Sequence, residues 1–292
     1  MYNDELIAIQ RDRSERALFL MRDLLPLMTP VARHPGWTSE ERWILGMLLT
    51  SSARSTESSL LLSAYGQLWD AEVVLRSVAE ATLKFAYILQ THEDFKQRIH
   101  EYSVDHFNIS LLKDDHKIRE VLSALGDTDS REWKPLRDRL LPDEQLDDFK
   151  KSYSRAARRA IESKWGVAGI LDAFRRSGDT TSSRLRGLLH GYALASHIQH
   201  ADFIGVSVPD DRDRREPSRR NAIHLAHLSR TISDAFSYFI VRLTSGYRFI
   251  EEDPAPVRSA LSKVNALHET FGDVYEDWME VEYGAGEADP SG

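Results

Sequence analysis

Apolar residues recur at spacings of three and four along almost the whole chain, the mark of amphipathic helices rather than alternating strands. A first helix is predicted from Asp4 to Ala32, with Leu6, Ile9, Leu18, Leu20, Met21, Leu24 and Leu25 among its apolar positions. His34-Pro35-Gly36 ends it. Thr38 with Glu41 three residues on is a capping box opening a second helix, which Gly66 closes. From Leu68 to Leu89 the seam Leu68, Ala71, Leu75, Val78, Thr82, Phe85, Leu89 is backed by Val73, Leu83 and Tyr87 on the other side. A helix apolar nearly all round belongs in the middle of a bundle.

Thr91 caps the next predicted helix, His92 to Leu125, ended by Gly126. A short and a longer helix follow, broken at Pro142, and another ends near Arg176 after the Trp165-Gly166 turn. Thr181 to Val208 is predicted to be a helix in its first part. It carries Leu185, Leu189, Tyr192, Ser196 and His200 on one stripe and Arg186, His190, Ala193 and His197 on another. Phe203 to Val208 is the single candidate strand, and Pro209 to Pro217 a charged linker. A long helix is expected from Ser218 to Ser245 with Gly246 at its end, and a last one after Pro254 and Pro256 reaching Val281. The fold class is therefore all-α, a bundle of about eight helices with a central buried helix near 68–89. The bundle core is expected over 1–250, a C-terminal helix packed on it over 251–281, and a disordered tail over 282–292.

Composition narrows this picture. The chain has 292 residues and no cysteine, which excludes disulfides, thiolate metal sites and a cysteine nucleophile. No apolar run nears the roughly 20 residues of a membrane span, and residues 1–16 lack a signal-peptide pattern, so a cytoplasmic location without membrane attachment is expected. The net charge of −8 is uneven. Between Lys150 and Arg220 stand fifteen Lys/Arg against eight Asp/Glu, leaving the remainder of the chain at −15. That basic middle suits RNA or another phosphate-bearing ligand, with Arg186, Arg212, Arg214, Arg215, Arg219 and Arg220 as the contacts. A solvated helical surface of mixed charge accounts for the same residues.

Candidate chemistry is sparse. Glycine-rich phosphate loops, a G-x-S-x-G elbow, an H-E-x-x-H site and Glu-x-x-His pairs are all missing. His190, His197, His200, His224 and His227 lie on two helices without a carboxylate or cysteine at ligand spacing, so neither a metal nor a cofactor is expected. Glu72, Arg76 and Glu80, at i, i+4 and i+8, allow one guanidinium to meet a carboxylate on either side, and their apolar neighbours predict a partly buried ion pair.

Arg76-Ser77-Val78-Ala79-Glu80 and Tyr192-Ala193-Leu194-Ala195-Ser196-His197-Ile198-Gln199-His200, with Trp165 between them, resemble the bacterial all-helical domain-of-unknown-function family DUF5677. Its pattern pairs Arg-Ser-x-x-Glu with Tyr-x-x-x-Ser-x-x-x-His. The resemblance spans about 57–241 and implies a polar network of Arg76, Glu80, Tyr192, Ser196 and His200. A more distant likeness is to HEPN proteins, whose motif is an arginine followed after four to six residues by a histidine. Arg184 and His190 meet that spacing, although Leu185 stands where a polar residue is usual. The leading expectation is a non-catalytic binding or regulatory module of a defence or toxin–antitoxin-like system, with a protein partner or a second copy of the chain. The alternative, which the HEPN likeness implies, is a metal-independent endoribonuclease with Arg184, His190 and His197 as catalytic residues.

Overall fold

The computed structural model describes residues 4–126, 128–179, 185 and 189–284, without the side chains of Leu189 and His190. The described residues form helices and turns and contain no strand. In chain order the helices are α1 (Asp4–Leu24), α2 (Thr29–Ala32), α3 (Ser39–Ala64), α4 (Leu68–Ile88), α5 (His92–His100), α6 (His106–Leu125), α7 (Lys134–Arg137), α8 (Asp143–Ser152), α9 (Arg155–Trp165), α10 (Val167–Arg176), α11 (Leu189–His200), α12 (Phe203–Arg214), α13 (Pro217–Phe249), α14 (Ala255–Glu269) and α15 (Val274–Tyr283). They exceed the eight or so expected because several long periodic stretches are interrupted. Two compact units result: one joins residues 1–90 to 178–292, the other is 91–177.

In the first unit α4 is the centre, packed by α3, α11 and α13. Its Leu68, Ala71, Val78, Phe85 and Ile88 are fully enclosed, and Leu83 and Tyr87 on the other side are buried as well. The Thr38 box that opens α3 is complete: the Thr38 hydroxyl accepts from the Glu41 amide and the Glu41 carboxylate accepts from the Thr38 amide at 2.8 Å. The expected helix to Ala32 breaks after Leu24 into a 3-10 turn, Leu25–Met28, and the single turn α2. Pro26 and Pro30, which have no N–H to give a continuous ladder, cause that break.

Five further expectations are corrected in this unit. Phe203–Val208 is not extended and Pro209–Pro217 is not a linker: residues 203–214 form α12, only Arg215 and Glu216 join it to the next helix, and Pro217 opens α13. Asp202 accepts from the Gly205 amide and opens this helix, while Ala201, at φ 48°, turns the chain away from α11. Gly246 does not end the long helix. α13 continues to Phe249, and a Cβ on Gly246 would meet Val31 at 2.7 Å, so this glycine buys a close helix approach rather than a stop. The last helix is two, α14 and α15, parted at Gly272 with φ 73°. Glu282 belongs to α15 rather than to a tail.

The second unit has its own apolar cluster of Leu112, Leu141 and Leu146, with Leu111, Phe149 and Tyr153 against it. The single helix expected over 92–125 contains a π-helical segment at Glu101–Asp105. Glu101 there is buried and accepts from Gln97, Lys164 and Trp165, at 2.9, 2.7 and 3.3 Å. Three donors on one carboxylate satisfy it inside the unit. Asp115 is likewise buried and holds Arg119 at 2.8 Å and the Leu141 amide at 3.1 Å. Ser154 caps α9, adding a second break beyond that at Pro142.

Candidate functional site

α13 carries an unusual run of polar residues on a helix face that should be apolar: His224, His227, Arg230, Asp234 and Tyr238, three or four residues apart. Opposite them α4 supplies Trp69 and Glu72. Glu72 is buried and stands at the centre: Arg230 donates to its Oε1, and His227 Nε2 lies 3.0 Å from the same oxygen. From the other side Arg212 Nη1 donates to His227 Nδ1 at 2.8 Å. A guanidinium can only donate, so Nδ1 accepts and the ring carries its proton on Nε2, facing the carboxylate. Arg212 is itself buried, with its guanidinium 4.4 Å above the Trp69 ring, and Trp69 in turn packs 4.5 Å from His227.

The electrostatics follow from this order. Burial works to raise the Glu72 carboxyl, but His227 and Arg230 outweigh it and hold the group below the usual carboxylate range. Burial lowers His227 against the pull of Glu72. His224, one turn earlier, donates from Nε2 to Gln10 Oε1 at 2.5 Å, and Gln10 donates to the Ala64 carbonyl at 3.2 Å. Burial, with Arg212 and His227 adding to it, pushes His224 down to about 3. Asp234 moves the other way. Burial lifts it to about 7, with Arg230 opposing and Glu72 assisting. The α11 backbone makes room for Arg230 at Gly191, where a Cβ would come within 2.8 Å of Nη1.

Next to this cluster lies a cavity of about 660 Å³, walled by residues of α4, α11, α12, α13, α14 and α15. Its wall is mainly apolar, with Trp69, Val208, Ile223, Phe271 and Trp278 prominent, and Arg212, Arg215, His227 and Arg230 also line it. A mainly apolar recess of this size with a few convergent polar groups is the usual form of a small-molecule site.

The expected residues fare unevenly. Arg76, Glu80 and Tyr192 do meet: Arg76 Nε donates to Glu80 Oε1 at 3.3 Å, the Tyr192 hydroxyl to the same oxygen at 3.0 Å, and the guanidinium lies 4.8 Å over the Tyr192 ring. Gln199 joins them, accepting from Arg76 Nη1 at 2.6 Å. Ser196 is half-buried on the same helix, and His200 is exposed. Glu72 does not complete a ladder with Arg76; it faces α13 instead. His197 is half-exposed, 2.5 Å from Asp202 at the α11–α12 corner. Arg184 and Arg186 lie outside the described residues, as does the His190 side chain.

Arg212 is corrected outright as an exposed phosphate contact, since it is buried against Trp69 and His227. Of its companions, Arg214 pairs with Asp210, Arg215 with Asp211 and Glu282, and Arg219 with Glu282. Arg220 is half-buried. Among the described residues no three His, Asp or Glu side chains come together to hold a metal ion. No described helix is long and apolar enough to cross a membrane.

The described residues define an all-helical protein. The model described as "Family of unknown function (DUF5677)" matches residues 42–213, more than half of the chain, and the protein belongs to that family. Curated proteins and solved structures gave no match.

The sequence pointed to α11 as the site and missed α13. His224, His227 and Arg230 at three-residue spacing were a signal available in it: polar side chains repeating on one face of a long amphipathic helix need buried partners. Trp69 and Trp278 carried no such signal, because an aromatic at helical spacing is more often plain core.

Proposed function

We propose that the protein is a helical binding module whose ligand site is the cavity beside Glu72, His227 and Arg230. The observation that carries this is the combination in one place of a 660 Å³ recess and a polar edge fixed by buried partners. Groups held in this way are pre-ordered before a ligand arrives, which lowers the entropic cost of binding. Every ionisable group at that edge is already engaged with a protein partner, an arrangement suited to recognition rather than to proton transfer with a substrate. The ribonuclease reading rests on Arg184 and His190, and the arginines that would hold RNA are largely paired with carboxylates of the same protein.

An uncharged fluorescent probe, 1-N-phenylnaphthylamine, tests the reading. Wild-type protein is expected to bind it with an enhanced signal. Ala226→Trp, which fills the recess from its α13 wall, is expected to lose that binding while keeping its circular dichroism. No binding, or equal binding by the variant, would overturn the proposal. In parallel, incubation with RNA in the presence of EDTA is expected to give no cleavage. Cleavage abolished by His190→Ala would restore the nuclease reading.

A further inference from the structure

Which ligand the recess can hold depends on how its own charges are engaged. Five charged residues line it: Arg212, Arg215, Arg230, Asp211 and Asp273. Arg230 is held by Glu72, and its Nη1 lies against Gly191, so no free fork stands there. Arg215 is held by Asp211 at 3.0 Å and by Glu282 at 2.9 Å, and Glu282 also takes Arg219. Arg212 donates to His227 and lies over the Trp69 ring, with Asp213 4.0 Å from its Nε. Asp273 caps α15 by accepting from the Glu276 amide at 3.2 Å, where the positive end of the helix offsets its charge. The two wall histidines add no charge: the His227 ring has its one proton on Nε2, and burial lowers His268. Every charge of the wall thus has its counterpart inside the protein. The rest of the wall is largely ring and aliphatic surface, with Trp69, Phe271, Tyr275 and Trp278 its largest parts.

We infer that the ligand is an uncharged, ring-bearing molecule of mainly apolar surface, and that the recess rejects the carboxylate and ammonium forms of the same body. This rests on the binding reading above. A carboxylate entering the recess leaves water and meets no unengaged cation, and an ammonium meets no unengaged carboxylate. Either ion loses hydration without gaining a partner, unless it first breaks an ion pair of the wall. A neutral body escapes that cost and still covers the aromatic surface.

Displacement of 1-N-phenylnaphthylamine from the full chain by three probes of one shape tests the inference. They are 2-naphthylmethanol, the anion 2-naphthoate and the cation 2-naphthylmethylammonium. The alcohol is expected to displace the dye at concentrations at least about tenfold lower than either ion. A smaller preference over either ion would overturn the inference while leaving the cavity reading standing. So would failure of all three to displace a dye that binds. A dye that does not bind would remove the cavity reading, and this inference with it. The double variant Asp211→Asn/Glu282→Gln frees Arg215 for a ligand. It is expected to bind 2-naphthoate at least about tenfold more tightly than the wild type does. Unchanged binding by a variant with native circular dichroism would overturn the assignment of the selectivity to engaged charges. Should the variant lose that dichroism, the three-probe comparison on the wild type decides alone.

Discussion

Arg76 shows how burial sets the worth of an ion pair. With side-chain exposures of 19% and 35%, Arg76 and Glu80 are neither a solvated surface pair nor a sealed one. Arg76→Ala is expected to cost about 1–2 kcal/mol, below the roughly 3–5 kcal/mol of a fully buried partner and above the ~0.5 kcal/mol of a surface pair. Urea unfolding of both single variants and the double one should show losses that are not additive, because Tyr192 and Gln199 share the network. Additive losses would place the residues in separate environments. His224 and Asp234 set a second test. With the ring depressed from 6.5 to about 3, the unfolded chain takes up a proton there that the folded one refuses. Stability from the neutral ring is thus complete above 6.5 and is lost as pH falls. Asp234, raised from 3.8 to about 7, works oppositely: the folded chain keeps its proton, and that stability is lost as pH rises toward 7. The two slopes oppose each other between about pH 4 and 6.5. Asp234→Asn should leave the histidine unopposed, so stability should climb more steeply with pH over that range, by up to about 1.4 kcal/mol per pH unit for one proton. Unfolding curves at pH 4.5, 5.5 and 6.5 with the wild-type slope would refute this.

At the scale of elements, the α11–α12 corner depends on two small residues. Ala201 sits at a φ of 48°, where a Cβ is strained, and a Cβ on Gly205 would fall 2.2 Å from the His197 carbonyl oxygen. Ala201→Gly should therefore raise stability by about 0.5–1 kcal/mol. Gly205→Ala should lower it by at least about 2 kcal/mol, since the obstacle is backbone and cannot turn aside. Thermal melts that reversed this order would sink the description of the corner. The same corner explains what the chain conceals. α3 and α4 were legible because their caps and apolar seams are local, and Thr38, Glu41 and Leu75 announce themselves within a few residues. The start of α12 was not, because Asp202 reads as a cap only if Ala201 accepts a left-handed conformation that alanine normally avoids. Pro209 and Gly246 looked like stops, yet tertiary packing carries both helices through them. The site was half legible. Arg76, Glu80 and Tyr192 follow from spacing, whereas Glu72, His227 and Arg212 come from three helices far apart in the chain, and no local pattern joins them.

For the whole molecule, the match to the DUF5677 family stops at residue 213, while the helix that completes the core begins at Pro217. α4 needs α13 to cover its buried face, and the recess takes Ile223, Arg230 and Trp278 from beyond the matched stretch. A fragment limited to 42–213 is expected to lose near-ultraviolet dichroism and cooperative urea unfolding, although it keeps helical far-ultraviolet signal. Sharp unfolding of that fragment would show the matched stretch to be self-sufficient. The hold of α1 on the far end of the chain has one more outcome. Gln10 meets His224, Arg13 meets the Phe271 carbonyl at 2.7 Å and Arg16 meets Thr270. During synthesis at roughly 5–20 residues per second, α1 leaves the ribosome on the order of ten to fifty seconds before Phe271 does. Its apolar stripe of Leu6, Ala17, Leu18 and Met21 spends that time without its later partners. The nascent chain thus has α1 resting on α3 alone until the residues around His224 and Phe271 have been made.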